Sequence, residues 1–463
     1  MVEDTARTDG PVRWRDVFRG RHGRLTAGLL LLEALVAIQS LVVATILPDV
    51  RADLGMVQLY GLVFTAASLA TIATIPIAGR AVDRFGARRT LPPILGLFAA
   101  GLAVCAVAPS MPVLLLGQFL TGAGGGGLYA MSVGAVAKTY PDHMRARVLA
   151  LMASMWILPG LIGPPLGALI ATTVGWRWAF LAPYPVLVVG WLLLVPALDL
   201  VPTGDSDGAR LAIRWPVQLM VGAGLVLTSL TVVRWVALAG VVVGLAIALP
   251  ALARIAPPGT LRLRPGVPAA AATAFLLSLG FLAMDAFLTL MLRRVRGLSA
   301  GEAGLAITLA TLTWAAGSAW ESGQTERRSL AWLLRVGAGL TLVGELAVAS
   351  ALIHDVPIVV AYAGWVLVGF GMGVAFPTLP LAAMRASASG EEATEISSVL
   401  LLDMLGVAIG AGLGGGVIAL TEALGIELAK GLAGAFAIGV TALLVLLAVA
   451  GRISPAVRDP AQS

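Results

Sequence analysis

The chain has 463 residues, of which 59% are hydrophobic and only 12% charged. A soluble globular protein carries about 25% charged residues to cover its surface, so this composition excludes an ordinary soluble enzyme. The formal charge of +6 comes from Lys and Arg in short segments between apolar blocks, a topology signal rather than a nucleic-acid footprint, and no nucleic-acid partner is expected.

Residues 1–25 are polar and Arg-rich, with no apolar core followed by a cleavage site. They read as a cytoplasmic tail rather than a signal peptide. Apolar blocks of about 20 residues, enough to cross a bilayer as helices, then follow one another. They predict spans at 26–48, 57–78, 90–109, 112–136, 147–173, 178–198, 215–232, 235–253, 267–292, 300–321, 331–353, 357–383, 395–420 and 428–451. No strand-like alternation appears, so a barrel is excluded.

With the N-terminus in the cytoplasm, 24 of the 31 Lys and Arg residues fall on the inner side, as topology requires. An odd number of spans in 215–253 would invert the second half and spoil this asymmetry. That stretch therefore holds two spans, and both termini are cytoplasmic. Arg293, Arg294 and Arg296 form a basic cluster on the outer face, read as an interfacial anchor or part of an outer gate. Residues 26–198 and 267–452 read as two similar six-span halves, with a linker and two extra spans over 199–266 and a cytoplasmic tail over 453–463. Duplication around a midplane site is how many secondary transporters are built.

Several features carry no chemistry. Cys105 is the only cysteine and lies in an apolar run, so it reads as inert packing. His22, His143 and His354 are scattered without ligand spacing, and no metal or cofactor is expected. Gly122-Ala123-Gly124-Gly125-Gly126-Gly127 lies inside a span and lacks the Lys-Ser/Thr of a phosphate loop. It reads as close helix packing. Trp156, Trp314, Trp320 and Trp365 are candidates for a cavity lining or for interface anchors.

The most specific motif joins the second and third spans: Gly79-Arg80-Ala81-Val82-Asp83-Arg84-Phe85-Gly86-Ala87-Arg88-Arg89. Here Gly79 would allow close helix approach, and Asp83 could meet a helix N-terminus or an arginine. Arg84, Arg88 and Arg89 could hold the opposite half in one conformation and release it in another. A weak echo, Gly323-Gln324-Thr325-Glu326-Arg327-Arg328, stands at the equivalent place in the second half. In the fifth span, Gly160, Gly163 and Gly167 share one helix face beside Pro164 and Pro165. A bare face admits another helix closely, and proline loosens the backbone.

The 79–89 segment resembles the signature loop of the major facilitator superfamily. The fifth-span motif is similar to one found in the antiporters of that superfamily, with Ala168 replacing a final glycine. Gly175-Trp176-Arg177-Trp178-Ala179-Phe180, Val43–Pro48 and Val295–Gly304 are similar to the fourteen-helix drug:proton antiporter family. The resemblance implies an all-α polytopic membrane protein with two six-helix bundles plus a two-helix insert, fourteen transmembrane helices in all. It also implies alternating access. Family members usually carry an acid where this chain has Gln39 and an arginine where it has Gln118. Replacing both avoids an unpaired buried charge, and the two amides could bond to each other or to substrate.

Charged residues inside spans usually face a cavity or a partner. The superfamily layout ranks Asp285 first, Glu33 second and Asp403 third as proton or substrate sites, with Glu345 and Glu321 lower. The expected function is export of lipophilic compounds, cationic ones among them, in exchange for protons, by a monomer in the plasma membrane surrounded by lipid. An exporter or flippase of a lipid or endogenous metabolite is the alternative. No intramembrane cluster of catalytic residues is visible, and no enzyme activity is expected.

Overall fold

The computed structural model describes residues 17–56, 59–140, 148, 151–152, 155, 157–201, 213–230, 235–386 and 392–453. Trp156, Arg234 and the linker at 202–212 lie outside these residues, as does the side chain of Asp83. Among the described residues there is no strand. The helices of the first half are α1 (Gly20–Leu54), α2 (Tyr60–Phe85), α3 (Ala87–Ala106), α4 (Met111–Thr139), α5 (Ile157–Thr173), α6 (Trp176–Leu181) and α7 (Tyr184–Leu194). Next come α8 (Arg214–Ser229) and α9 (Trp235–Ile255). The second half holds α10 (Val267–Arg294), α11 (Ala300–Ser322), α12 (Leu330–Ser350), α13 (Ile358–Ala386), α14 (Glu392–Ala423) and α15 (Leu428–Val449).

Helices α6 and α7 run with a short 3-10 turn into one apolar stretch, Trp176–Leu200. Among the described residues, 11 helices are long and apolar enough to cross a membrane. Helix α8, with 16 residues, spans about 24 Å and falls short of a hydrocarbon core of about 30 Å. Length and hydropathy alone therefore do not reach the fourteen expected spans.

Small residues set how closely these helices pack. In α4, a Cβ on Gly122 or Gly126 would run into Ala67 or Thr71 of α2, and one on Gly124 would run into Phe98 of α3. Thr71 Oγ1 donates to the Gly122 carbonyl at 2.9 Å across the same contact. The glycine run expected to serve packing does so. Helix α13 repeats the arrangement in the second half. Gly369 and Gly373 meet Ala310 and Trp314 of α11, Gly371 meets Gly337 and Thr341 of α12, and Thr313 Oγ1 donates to the Val366 carbonyl at 2.9 Å. The two halves thus share a packing scheme built on the fourth helix of each.

Gly86 ends α2 and starts α3 with φ +80°, a conformation L side chains rarely adopt. This lets the chain reverse with no further loop. Gly79 does not have its expected role: among the described residues nothing lies within 4 Å of where its Cβ would sit. It faces open space, so close approach is not what it provides in this conformation.

Helices α8 and α9 pack on each other, and α8 lies against the seam between the halves. Leu69 of α2 lies 3.5 Å from the Cβ position of Gly224, and Leu227 of α8 and Leu230 just past its end fill the space left by Gly412 and Gly416 of α14. Helix α8 therefore straddles α2 and α14. A groove of about 360 Å³ between α2, α4 and α8 is lined by Leu62, Leu69, Leu116, Phe119 and Met220, among others.

Candidate functional site

The site is defined by its residues. On α10, Ser278, Phe281 and Asp285 share one sector of the helix at about 100° per residue. Asp285 is partly exposed and, among the described residues, has no hydrogen bond or ion pair. Phe281, one turn away, meets Trp314 of α11 edge-on at 5.6 Å between centroids and stacks on Trp365 of α13 at 5.7 Å. Trp314 also meets Phe376 at 5.8 Å. Trp365 is 1% exposed and supports the cluster from behind, while Trp314 is partly open. Trp320 packs instead on Trp332 and Phe370.

Asp403 of α14 accepts a hydrogen bond from Ser278 Oγ, two turns along α10 from Asp285. Glu33 is partly exposed on α1. The Tyr129 hydroxyl of α4 lies within electrostatic range of both Glu33 and Asp403, so residues of α1, α4 and α14 converge there. The two amides do not bond to each other. Gln118 Nε2 turns to Cys105 Sγ on α3, 3.6 Å away. Gln39 is 4% exposed, and among the described residues neither its amide oxygen nor its nitrogen has a partner.

The ends of the molecule differ. At the end opposite residues 79–89, the far end, the halves are locked together. Arg293 Nη1 and Nη2 donate to Asp49 Oδ2 and Oδ1 at 2.6 and 2.7 Å. Thr289 Oγ1 donates to the Ala44 carbonyl at 2.8 Å, and Thr65 Oγ1 to the Ala408 carbonyl at 3.0 Å. Arg51 stands 3.9 Å from Glu422. Tyr60 packs on Phe287 at 5.6 Å, and its hydroxyl lies within electrostatic range of Arg51, Arg293 and Asp285. The basic cluster thus divides its tasks. Arg293 reaches across to Asp49 rather than to Asp285, Arg296 donates to the carbonyls of Ala351, Ile353 and Val356, and Arg294 is exposed.

Helix α5 contributes to this lock through its glycine face. Gly160 abuts Thr311 and Pro164 approaches Gly304, both on α11, while Gly163 and Gly167 lie against Leu41 and Val42 of α1. The motif helix is wedged between its own half and the other one.

At the opposite end, the described contacts of the signature loop stay within the first half. Arg88 pairs with Asp199 at 3.0 Å, and Arg21 approaches the same carboxylate at 3.5 Å. Arg84 lies over the Phe85 ring, 5.3 Å from its centroid. Nε and Nη2 of Arg80 are buried without a partner among the described residues. Arg89 is exposed. Glu321 accepts from Thr378 Oγ1 at 3.3 Å inside the second half.

Asp49, the acid of the far-end lock, was not singled out in the sequence. It sits just beyond the Val43–Pro48 motif, and only its distance from Arg293 marks it. Asp53 was missed too. It accepts from Trp176 Nε1 at 3.1 Å and Arg177 Nη1 at 2.7 Å, tying the end of α1 to the start of α6.

A profile of the Major Facilitator Superfamily matches residues 29–411. A Mycobacterium tuberculosis protein named "Probable multidrug-efflux transporter" is 27% identical over 466 aligned positions, covering 95% of this chain and 96% of that one. "Multidrug resistance protein 3" of Bacillus subtilis is 30% identical over 34% of this chain and 31% of its own. Among solved structures, an auto-inhibited POT family peptide transporter superposes with TM-score 0.69 at 15% identity, covering 93% of this chain and 97% of that one. A bacterial homologue of the human lysosomal transporter Spinster, inward-facing and unoccupied, superposes with TM-score 0.65 at 16% identity, covering 94% and 96%.

Proposed function

We propose that this chain, which belongs to the Major Facilitator Superfamily, exports lipophilic compounds, cationic ones included, in exchange for protons, as a member of its fourteen-helix drug:proton antiporter family. The observation that carries this reading is Asp285, a partly exposed and unpaired carboxyl one turn from an aromatic cluster. An aromatic face and a nearby negative charge suit a lipophilic cation, and a partly enclosed carboxyl is suited to holding and releasing a proton. Glu33 and Asp403 supply further acids, and Gln39 offers an amide with unused hydrogen-bonding capacity.

The units of this machine are residues 26–198, 199–266 and 267–452, flanked by tails at 1–25 and 453–463. With the Arg-rich loop 79–89 in the cytoplasm, as the charge asymmetry favours, the far end faces outside. The Asp49–Arg293 contact then closes the outer side, and residues 79–89 form the inner latch that engages when the halves rock the other way. Gly160, Gly163, Pro164 and Gly167 let α5 slide against α11 during that exchange. The protein works as a monomer.

Reconstituted protein in vesicles with an imposed pH gradient, screened across dyes, antibiotics and labelled lipids, tests this. Uptake or release of a dye or antibiotic that follows the gradient supports the proposal. A response confined to labelled lipids would assign lipid export instead, a reading that the loss of an acid–arginine pair at Gln39 and Gln118 favours. No gradient response from any compound would remove proton coupling.

A further inference from the structure

Glu345 lies in α12, is 0% exposed, and has no hydrogen-bond partner among the described residues on either carboxyl oxygen. Its niche exists because a side chain is missing opposite. A Cβ on Gly439 of α15 would stand 3.1 Å from Glu345 Oε2, 2.7 Å from the Gly280 carbonyl and 3.6 Å from Ala283 Cβ. Gly280 and Ala283 belong to α10, on the side of that helix away from Ser278, Phe281 and Asp285 at about 100° per residue. Glu345 therefore sits directly behind the helix that presents the candidate binding acid.

Among the described residues, no charged or polar group on the surrounding helices bonds to this carboxyl. On α10 the acid Asp285 points to the other sector, and Arg293 is engaged with Asp49. Helix α13 carries Tyr362, which donates to the Glu302 carbonyl, and Arg385 in its last turn. The ionisable residue of α15 is Lys430, beside Glu427 at the start of the helix. On α12 itself, Arg335 is ten residues away, about 15 Å along the axis. A bare carboxylate here would carry a full charge in dry packing with nothing to offset it, and an acid kept in such a place marks function more often than architecture.

We propose that Glu345 is a second proton-binding site, one that acts from behind α10 rather than within the substrate path. It holds its proton in this far-end-closed state. On rearrangement the carboxylic acid passes that proton to water, leaving a carboxylate and a hydronium ion, and the reverse step recharges it. The ionised form needs water or a cation in the niche, which forces α10 and α15 apart. Proton occupancy at Glu345 thereby biases the position of the helix bearing Asp285 and Arg293. This inference rests on the proton-coupled export proposed above.

The test compares wild type, Glu345→Gln and Glu345→Asp in vesicles, with ethidium as the transported probe and an imposed pH gradient. Glutamine mimics the neutral acid and cannot titrate. The expected result is wild-type ethidium affinity in detergent, gradient-driven export reduced by about tenfold or more, a size typical of coupling between sites, and a pH profile that has lost one titration, the one remaining being that of Asp285. Aspartate keeps both titrations. Should the glutamine variant not fold, Glu345→Met, apolar and of similar length, replaces it under the same criteria. Wild-type export and an unchanged pH profile in the non-titrating variant would overturn the role of Glu345 alone. A wild-type protein that ignores the gradient would overturn proton coupling altogether.

Discussion

Arg293 holds Asp49 through two parallel hydrogen bonds of 2.6 and 2.7 Å, joining the first helix of one half to the first helix of the other. Both side chains are about three-quarters enclosed, so water screens the pair less than it would at an open surface. Hydrogen bonds to charged groups contribute about 1.5–3 kcal/mol each. Removing this pair with Arg293→Ala should shift the balance between far-end-closed and far-end-open forms by roughly 100-fold or more, since two such bonds amount to about 3 kcal/mol at the low end and about 1.4 kcal/mol is a decade. A cysteine placed at Thr65, on the closed seam, should react faster with an impermeant thiol reagent in this variant. The doubly reversed variant Asp49→Arg/Arg293→Asp should return to the wild-type rate. An unchanged labelling rate in the single variant would show that the pair does not hold the seam.

Asp285→Asn is expected to abolish gradient-driven export while expression and folding persist. The position has no bond to lose, so the change removes a charge and a titrating group without breaking packing. Wild-type transport rates in this variant would discard Asp285 as the coupling acid.

Gly160→Ala inserts a methyl group against Thr311 of the opposite half. Overpacking typically costs about 1–3 kcal/mol, and here the cost falls on the far-end-closed form, in which the two helices meet. Export should slow, and Thr311→Ala in the same chain should recover part of the loss. If the double variant is no faster than the single one, the contact is not the cause.

Gln39 has an amide that is enclosed and unanswered. Leaving such groups unsatisfied costs about 1–3 kcal/mol, so Gln39→Leu should raise the melting temperature in detergent. If the amide serves substrate, affinity for hydrogen-bonding compounds should fall at the same time. A variant neither more stable nor altered in selectivity would show that the amide is neutral in both roles.

Much of the architecture is legible without coordinates because a bilayer allows few solutions. Apolar blocks must become helices, and the breaks between blocks mark their ends. The glycine run of α4 announces close packing, since this follows from local sterics. The partners of particular side chains are not legible in this way. Arg293 has Asp285 within two turns and Asp49 on another helix, and sequence spacing alone does not choose between them. The direction in which each points around α10 decides for Asp49. Gln39 and Gln118 are a plausible pair by analogy, yet Gln118 faces α3 and meets Cys105.

The sequence by itself determined an all-helical membrane protein, its duplication, and the loop and motif helix that place it in its superfamily. These are written in composition, period and local backbone demands, each readable within a few neighbouring residues. Tertiary structure alone decided that α8 bridges α2 and α14, that Asp49 clasps Arg293, and that Glu345 lies enclosed behind Asp285. Each depends on how helices far apart in the chain rotate about their axes, and hydrocarbon surroundings, which treat every apolar face alike, leave that rotation to packing between small residues.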